Sequence, residues 1–380
     1  MKATTATRIS GNTVGIMVCP SAGDPPFSEK QYYRRLSLLG QKLGLAVFVF
    51  FPHRIDWERR RVLGYRYNAS GSRWEKRLYP LPETVYDRCF YSDAKLYAEF
   101  REPIRRLMQT PGTRFLGYGL KGKWSVHQMM IRDEALSPYI PETELLQSPA
   151  DIERWLEEKG ELFLKPHGGS QGKGVLRVTR EENGYAVNGR SHRNEAVRSG
   201  FRSKRRLLDW IAAFTGGRKY LIQPYLILTT TEGEAFDIRA LVQKNRTGRW
   251  ELTGIAVRRG APGSVTSNLH GGGHAEEALP FLRQQYGRPA AETIESSVRE
   301  LALRIPYVLE QYHGRLVELG VDIGVDTAGH VWILEANSKP GRSSFAVLTD
   351  KKVRLDSIRN PILYAKFLID NPGKRHDPSL

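Results

Sequence analysis

The chain has 380 residues, enough for two or three domains with an ample core. Hydrophobic residues make up 40% and charged residues 26%, as in soluble globular proteins, and no apolar run is long enough to form a transmembrane helix. The net charge of +17 favours an anionic partner (nucleotide, nucleic acid, acidic polymer or anionic surface) without choosing among them.

The N-terminal stretch MKATTATRISGNTVGIMV has no apolar segment ending in a small-residue cleavage site, so no secretory signal is expected. Cys19 and Cys89 are far apart in sequence and unaccompanied. Neither a disulfide framework nor a zinc site is expected, and a reducing cytoplasm is the default location.

Thr13–Val18 reads as a strand. Tyr32, Leu36, Leu39 and Leu43 follow a helical period that Gly44 caps. Leu45–Phe51 is a second, fully apolar strand, and the βαβ unit predicts a parallel sheet. Asp56–Arg77 predicts a hairpin around Asn68-Ala69-Ser70-Gly71, and a short strand Thr84–Asp87 follows Pro80-Leu81-Pro82. Ala94–Met108 is helical but carries Pro103, where it should kink or restart. The first domain closes near Leu120.

Lys121–Glu134 reads as a helix opening with lysine. Ser148 and Asp151 form a capping box for a helix over Pro149–Lys159. Strand Glu161–Lys165 leads into the glycine-rich stretch GGSQGKG (Gly168–Gly174), then strand Val175–Arg180. The basic run RSGFRSKRR (Arg198–Arg206) is placed at the start of an amphipathic helix. It reads as a solvated helix face; nucleic-acid binding is not expected, since interleaved aromatics and zinc-finger spacing are missing. Leu207–Phe214 is helical and Tyr220–Leu226 a strand. Ala235–Lys244 and Arg249–Arg258 pair through Asn245–Gly248, and Thr293–His313 is a long helix, bent at Pro306. Leu355–Ile369 is a last amphipathic helix before a frayed Asn371–Leu380.

Between these helices lies VDIGVDTAGHVWILEANSKPG (Val321–Gly341). Val321–Val325 and His330–Glu335 read as strands joined by a turn over Asp326-Thr327-Ala328-Gly329. Folding back there sets Asp322 across from Leu334 and Glu335. Glu335 and Asn337, two apart on an extended segment, share a face. Two carboxylates and an amide oxygen form a hard-oxygen set suited to Mg²⁺, with positions left for phosphate and water. The competing reading is a surface hairpin with scattered acids.

A strand–glycine loop–strand unit places backbone N–H groups over an anion. It is neither a Walker loop nor a dinucleotide fingerprint, because a strand follows the glycines. Lys165, at the end of an apolar strand, reads as a fixed positive charge on phosphates or as a snorkelling lysine. In FDIRALVQK, Asp237 and Arg239 share one face while Ile238, Ala240 and Val242 take the other. They read as a cross-strand ion pair, or with Arg239 and Arg258 facing phosphoryl and carboxylate groups that a guanidinium fork suits. Asn268 lies in SNLHGGG. His167, His270 and His274 lie in candidate loops without metal-ligand spacing.

The ordered set Lys123, Lys165 with its glycine loop, the strand Ile222-Gln223-Pro224-Tyr225, Arg239, Arg258, Asn268 and Asp322…Glu335-x-Asn337 resembles the ATP-grasp superfamily. FDIRALV, VRRG, SNLHGGG and VDI…LEANSKPG are similar to its ribosomal-protein glutamate ligase branch. VFVFFPHRIDW, PLPETVYDR and DIRALVQKNRTGRWELTG resemble the YheC/YheD endospore coat-associated family, and the likeness covers about residues 13–370.

The resemblance implies an ATP-grasp fold, α/β and α+β. A pre-ATP-grasp α/β domain (1–120) precedes a central subdomain with the glycine loop (121–226) and a C-terminal subdomain with the metal site (227–349). A helix and tail (350–380) follow. It implies that Lys123 and Lys165 contact ATP phosphates while Gly168, Gly169, Ser170, Gln171 and Gly172 close over them. Gln223, Pro224 and Tyr225 would read adenine through the backbone. Asp237, Ser267 and Asn268 would help hold the nucleotide. Asp322, Glu335 and Asn337 would bind two Mg²⁺ ions, with Mn²⁺ as the alternative. Pro224 departs from relatives that carry an acid there, so the ribose partner is unassigned.

The implied chemistry is ligation of a carboxylate to an amine or thiol through an acylphosphate, with Arg239 and Arg258 as catalytic residues. The positive charge suggests an acidic or polymeric acceptor, although no stretch of sequence picks out its pocket. A spore-coat association follows from the family name alone. A kinase on this fold and a non-catalytic, ATP-binding coat protein are the alternatives.

Overall fold

The computed structural model describes residues 12–91, 93–169, 172–260 and 273–372. Its first sheet is built from β1 (Thr13–Met17), α1 (Lys30–Lys42), β2 (Ala46–Asp56), β3 (Arg61–Asn68), β4 (Arg73–Pro80), β5 (Thr84–Asp87), α2 (Ala94–Met108) and β6 (Arg114–Phe115). The strand order is β4-β3-β2-β1-β5-β6. β1 runs parallel to β2 and β5, as the βαβ reading predicts, while β2, β3 and β4 form an antiparallel meander. The expected hairpin turns between Asn68 and Arg73. β2 extends past Phe51 to Asp56, and α2 continues through Pro103 as one helix. Val14, Ile16, Val47 and Val49 pack against Leu36 on one side of this sheet, and Phe48 and Phe50 against Phe100 and Leu107 on the other.

The second sheet follows α3 (Lys123–Met130), which is shorter than the expected Lys121–Glu134. It comprises β7 (Glu144–Leu146), α4 (Pro149–Lys159), β8 (Glu161–Pro166), β9 (Leu176–Glu181), β10 (Gly184–Arg190), β11 (Ala196–Phe201), α5 (Lys204–Thr215) and β12 (Tyr220–Gln223). The order is β11-β10-β9-β8-β12-β7, antiparallel throughout. Trp155, Leu156, Leu207 and Ile211 cover its buried face. The predicted cap forms, with the Asp151 carboxylate accepting from the Ser148 backbone N–H at 2.8 Å. The basic run is corrected: its first residues lie on β11, and the helix begins only at Lys204. β12 stops at Gln223 rather than Leu226, because Pro224 has no N–H for the ladder.

The third sheet contains β13 (Phe236–Lys244), β14 (Trp250–Arg259), β15 (His274–Glu277), α6 (Ala278–Tyr286), α7 (Arg288–His313), β16 (Glu318–Val325) and β17 (Val331–Asn337). α8 (Ser343–Ala346) and α9 (Lys351–Asp370) follow. The order is β15-β14-β13-β16-β17. His274 is thus a strand residue rather than a loop one. α7 begins before the expected Thr293 and runs through Pro306. One face packs Ile238, Ala240, Val242 and Val321 against Val298, Ala302, Ile305 and Leu309 of α7. α9 reaches back to the first sheet, where Ile362, Ala365 and Leu368 join its core.

A buried charge cluster joins the first and third sheets. Glu318, on β16, accepts from Tyr86 at 2.5 Å, Arg88 at 3.3 Å and Gln243 at 2.9 Å, and pairs with Arg342. Arg88 reaches on to Glu29 at 3.0 Å and donates to the Pro340 carbonyl at 3.1 Å. The Arg88 and Glu318 side chains are both 0% exposed. Among the described residues, no helix is long and apolar enough to cross a membrane.

Candidate functional site

Strand parity builds the site. Cross-strand partners share a face, and so do residues two apart on one strand. β13 sets Asp237 opposite Arg258 of β14 and Arg239 opposite Asp322 of β16; β16 in turn sets Asp322 opposite Glu335 of β17. Asn337 lies two residues beyond Glu335. All six therefore point from the face not covered by α7. The ladder slips after Asp322, so Ile323 pairs with Ile333 and Leu334 bulges out. The Leu334 carbonyl accepts from Lys165 Nζ at 3.3 Å, which brings the second sheet's lysine onto the third sheet's hairpin.

The ion pairs correct the pairing expected within FDIRALV. Asp237 is held by Arg258, with two bonds of 2.6 Å, and not by Arg239. Arg239 grips Asp322 from Nε at 2.5 Å and Nη2 at 3.1 Å, and Arg258 Nη2 lies 3.1 Å from the same carboxylate. Burial acts to raise the Asp322 carboxyl, but Arg239 and then Arg258 hold it below the usual carboxylate range. Neither guanidinium commits its Nη1 hydrogens to a bond among the described residues.

Glu335 lies 3.3 Å from Lys123 Nζ, which also donates to the Gly169 carbonyl at 2.7 Å. Lys123, rather than the expected Lys121, opens α3. The helix's orphan N–H groups meet His167: Lys123 N donates to its carbonyl at 3.1 Å and Trp124 N to its Nδ1 at 3.4 Å. Burial, and next Lys219, depresses the His167 imidazole, consistent with an accepting ring nitrogen. Gly169 has φ +100, a conformation that favours glycine. Removal from solvent lowers Lys165 to about 8; Glu335 opposes the fall and Lys123 adds to it.

Gln223 donates from Nε2 to Thr143 Oγ1 at 2.6 Å, so its side chain is engaged. The Tyr225 ring lies 3.9 Å under the Arg177 guanidinium, and Arg177 is held by Glu161. Lys123, Lys165, Gly168, Gly169 and Gly172 line one cavity of 1180 Å³ with Gln223, Pro224 and Tyr225; Asp237, Arg239, Arg258, Asp322, Glu335 and Asn337 line the same cavity. Ser170, Gln171, Ser267, Asn268 and His270 lie outside the described residues.

The donor chemistry fits a hard cation. Glu335 and Asn337 offer oxygens from one face, the Asn337 side chain has no hydrogen-bond partner among the described residues, and Asp322 Oδ2 keeps a lone pair beyond its bond from Arg239, whereas Oδ1 is taken by both arginines. Among the described residues there is no group of three or more His, Cys, Asp or Glu side chains placed for a metal. The candidate set is two carboxylates and an amide.

Other cavity residues carried no sequence signal. Asp87 binds Lys339 at 2.8 Å, and Lys339 also donates to the Cys89 carbonyl at 2.8 Å. Cys19 and Cys89, distant in sequence, are brought together because β1 and β5 are neighbours with Met17 opposite Asp87. The Cys89 thiol hydrogen-bonds Cys19, and chiefly through that contact Cys19 is lowered. His127 is buried beside Trp124, and burial, followed by Lys165, depresses it to about 4. A histidine depressed in the fold stabilises fully above its unfolded pKa near 6.5, and that stability is lost as pH falls toward 4. His127→Phe is therefore expected to lose about 1–2 kcal/mol less than the wild type between pH 6.5 and 5 in denaturant titrations. An unchanged difference would remove His127 as an acid-sensitive element.

A family model described as YheC/D like ATP-grasp matches residues 112–368. Endospore coat-associated protein YheD of Bacillus subtilis (strain 168) is 31% identical over 350 residues, covering 90% of this chain and 75% of that protein. YheC of the same strain, also named endospore coat-associated, is 30% identical over 318 residues, covering 83% and 86%. Among solved structures, D-cycloserine synthetase DcsG aligns with a TM-score of 0.53 at 16% identity, covering 94% of this chain and 99% of that one. D-alanyl-alanine synthetase A from Vibrio cholerae aligns at 0.52 and 12% identity, covering 96% and 98%. At these identities the likeness is one of fold.

Proposed function

The chain belongs to the YheC/D-like ATP-grasp family, and from that premise we propose that it is an ATP- and Mg²⁺-dependent ligase. It joins a carboxylate to an amine, or to a thiol, through an acylphosphate. The observation that carries this reading is the convergence of Lys123, Lys165, Arg239, Arg258, Asp322, Glu335 and Asn337 on one cavity fed by the glycine loop. The names of its two relatives suggest a spore-coat setting. The domain division at 120, 226 and 349 belongs to the same proposal.

Glu335, Asn337 and Asp322 hold Mg²⁺, with Mn²⁺ as the alternative ion. Bound there, the metal supplies charge neutralisation on the ATP phosphates. Lys165 and Lys123 add two ammoniums on the same side. The glycine loop lies over the phosphates and excludes water from the acylphosphate. The backbone of Gln223–Tyr225 reads adenine, beside a Tyr225 ring fixed by Arg177. Asp237 orients Arg258 and Asp322 orients Arg239, so the Nη1 hydrogens that make no bond among the described residues serve the transferred phosphoryl group.

A substrate carboxylate oxygen attacks the γ-phosphorus as the β–γ bridge breaks, releasing ADP. An amine nitrogen then attacks the acyl carbon, loses a proton and expels phosphate. The phosphate carries one oxygen from the acid. An ¹⁸O-labelled acid should accordingly give labelled phosphate, together with ADP release that requires both acid and amine. A phosphorylated product with no new amide would favour a kinase. No ADP release with any acid and amine screened would favour a non-catalytic coat protein.

Gly122 supplies a second test. A Cβ there would lie 2.2 Å from the His167 ring, the group that holds the start of α3 to the glycine loop. Gly122→Ala should raise KM for ATP about tenfold with a smaller change in kcat, since it displaces binding rather than reacting groups. An unchanged KM would separate this contact from nucleotide binding.

A further inference from the structure

The cavity continues past Glu335 and Asn337 onto the first sheet. Its far wall is one stripe of α2: Tyr97, Arg101, Ile104, Arg105 and Met108, spaced four, seven, eight and eleven residues along. We propose that this wall receives an acidic polypeptide segment, lying extended along α2, as the acceptor. The word acceptor rests on the ligase reading above; the surface itself does not.

The first support is exposed apolar surface. Phe90 is 49% exposed, Tyr97 53% and Met108 44%, and all three border this one cavity. Tyr91 meets Tyr97 edge-on at 5.1 Å, and the Lys339 ammonium lies 5.7 Å from the Tyr91 ring, so the aromatic wall is braced from behind. Large side chains left in water around a cavity mouth mark a binding surface.

Charge is the second. Each acid that lines the cavity already has a cation: Glu29 has Arg88 at 3.0 Å, Asp87 has Lys339 at 2.8 Å and Asp237 has Arg258 at 2.6 Å. Asp322 has Arg239 at 2.5 Å and Glu335 has Lys123 at 3.3 Å. Arg101 and Lys121 line the same cavity and make no ion pair among the described residues. The wall is left with surplus positive charge, which suits carboxylates.

Size decides between a free acid and a chain. The 1180 Å³ cavity is shared with the nucleotide site, so the extent of this wall is set by the α2 stripe itself. From Tyr97 to Met108 the stripe runs about 16 Å at about 1.5 Å per residue. About five extended residues cover that length. Acidic side chains then meet Arg101 and Lys121, and alternate apolar ones meet Tyr97, Phe90 and Met108.

The probe is a fluorescein-labelled decapeptide of alternating glutamate and leucine, followed by fluorescence anisotropy. Comparison peptides replace glutamate by lysine or leucine by serine. The variants are Arg101→Glu and Tyr97→Ala, both on the exposed face of α2, with melting temperature and ATP-analogue binding measured alongside. The expected result is that the Glu–Leu peptide binds, Arg101→Glu weakens it at least tenfold, and Tyr97→Ala weakens it about three- to tenfold. The serine peptide binds less tightly, the lysine peptide does not bind, and the nucleotide analogue binds both variants as it does the wild type.

No binding of the Glu–Leu peptide, equal binding by both variants, or equal binding of the lysine peptide would overturn the proposal. Displacement of the peptide by free glutamate at matched carboxylate concentration would mark a small-molecule site and overturn it equally. Peptide binding without analogue binding would remove the ligase reading and leave the surface standing. Analogue binding without peptide binding would do the reverse.

Discussion

Glu335→Gln should reduce Mg·ATP turnover about 10³-fold while leaving the protein folded. The change keeps the side chain's shape and removes its charge. Glu335 is the cleanest residue for such a test because its one ion pair among the described residues is with Lys123, at 3.3 Å. Its carboxylate is partly exposed, at 24%, so stability should change by no more than about 1 kcal/mol. Asp322 is a poorer choice: its oxygens anchor Arg239 and Arg258, so Asp322→Asn disturbs both guanidiniums together. A coupled assay for ADP release checks the prediction. Wild-type turnover by Glu335→Gln would remove this carboxylate from the chemistry.

Glu318→Ala should destabilise the fold by about 3–5 kcal/mol. The substitution leaves Arg88 buried without its closest carboxylate in the third sheet and deprives Arg342 of its carboxylate. Tyr86 loses its acceptor as well. Burial, the first cause of the Tyr86 hydroxyl's rise well above its ordinary range, persists in the variant, so the hydroxyl cannot compensate by ionising. The loss should also reach the site, because Arg88 and Arg342 both donate to the Pro340 carbonyl, three residues past Asn337. Denaturant unfolding gives the magnitude. Replacing Arg88 by Met together with Glu318 by Leu should recover part of the loss, since it removes the fully buried guanidinium along with its carboxylate and leaves only Arg342 and Glu29 to re-pair. If Glu318→Ala unfolds within 1 kcal/mol of the wild type, the cluster does not hold the two sheets together.

The sequence makes this architecture legible where one side chain pattern dominates. β1 and the first half of β2 are runs of buried apolar residues, and the β16–β17 hairpin has its turn residues in place. β10, β11 and β15 escape notice because they are polar and lie at or near sheet edges; β11 alternates exposed and half-buried residues within a basic run. Strand parity is enough to put Asp237 with Arg239 and Glu335 with Asn337 on common faces. It cannot say that Asp237 bonds Arg258 while Arg239 bonds Asp322, since that requires the register of three strands. The Leu334 bulge and its bond from Lys165 depend likewise on register and on the second sheet's position. The α2 wall is not legible for a similar reason: Tyr97 and Arg101 come to line the same cavity as Glu335 only in the folded chain.

The most direct test of the nucleotide site is isothermal titration of a non-hydrolysable ATP analogue, with and without Mg²⁺, into the wild type and Glu335→Ala. Binding that requires Mg²⁺ and is weakened at least tenfold in Glu335→Ala is the predicted result. No binding by the wild type at millimolar analogue would contradict it and leave an ATP-grasp fold without its nucleotide.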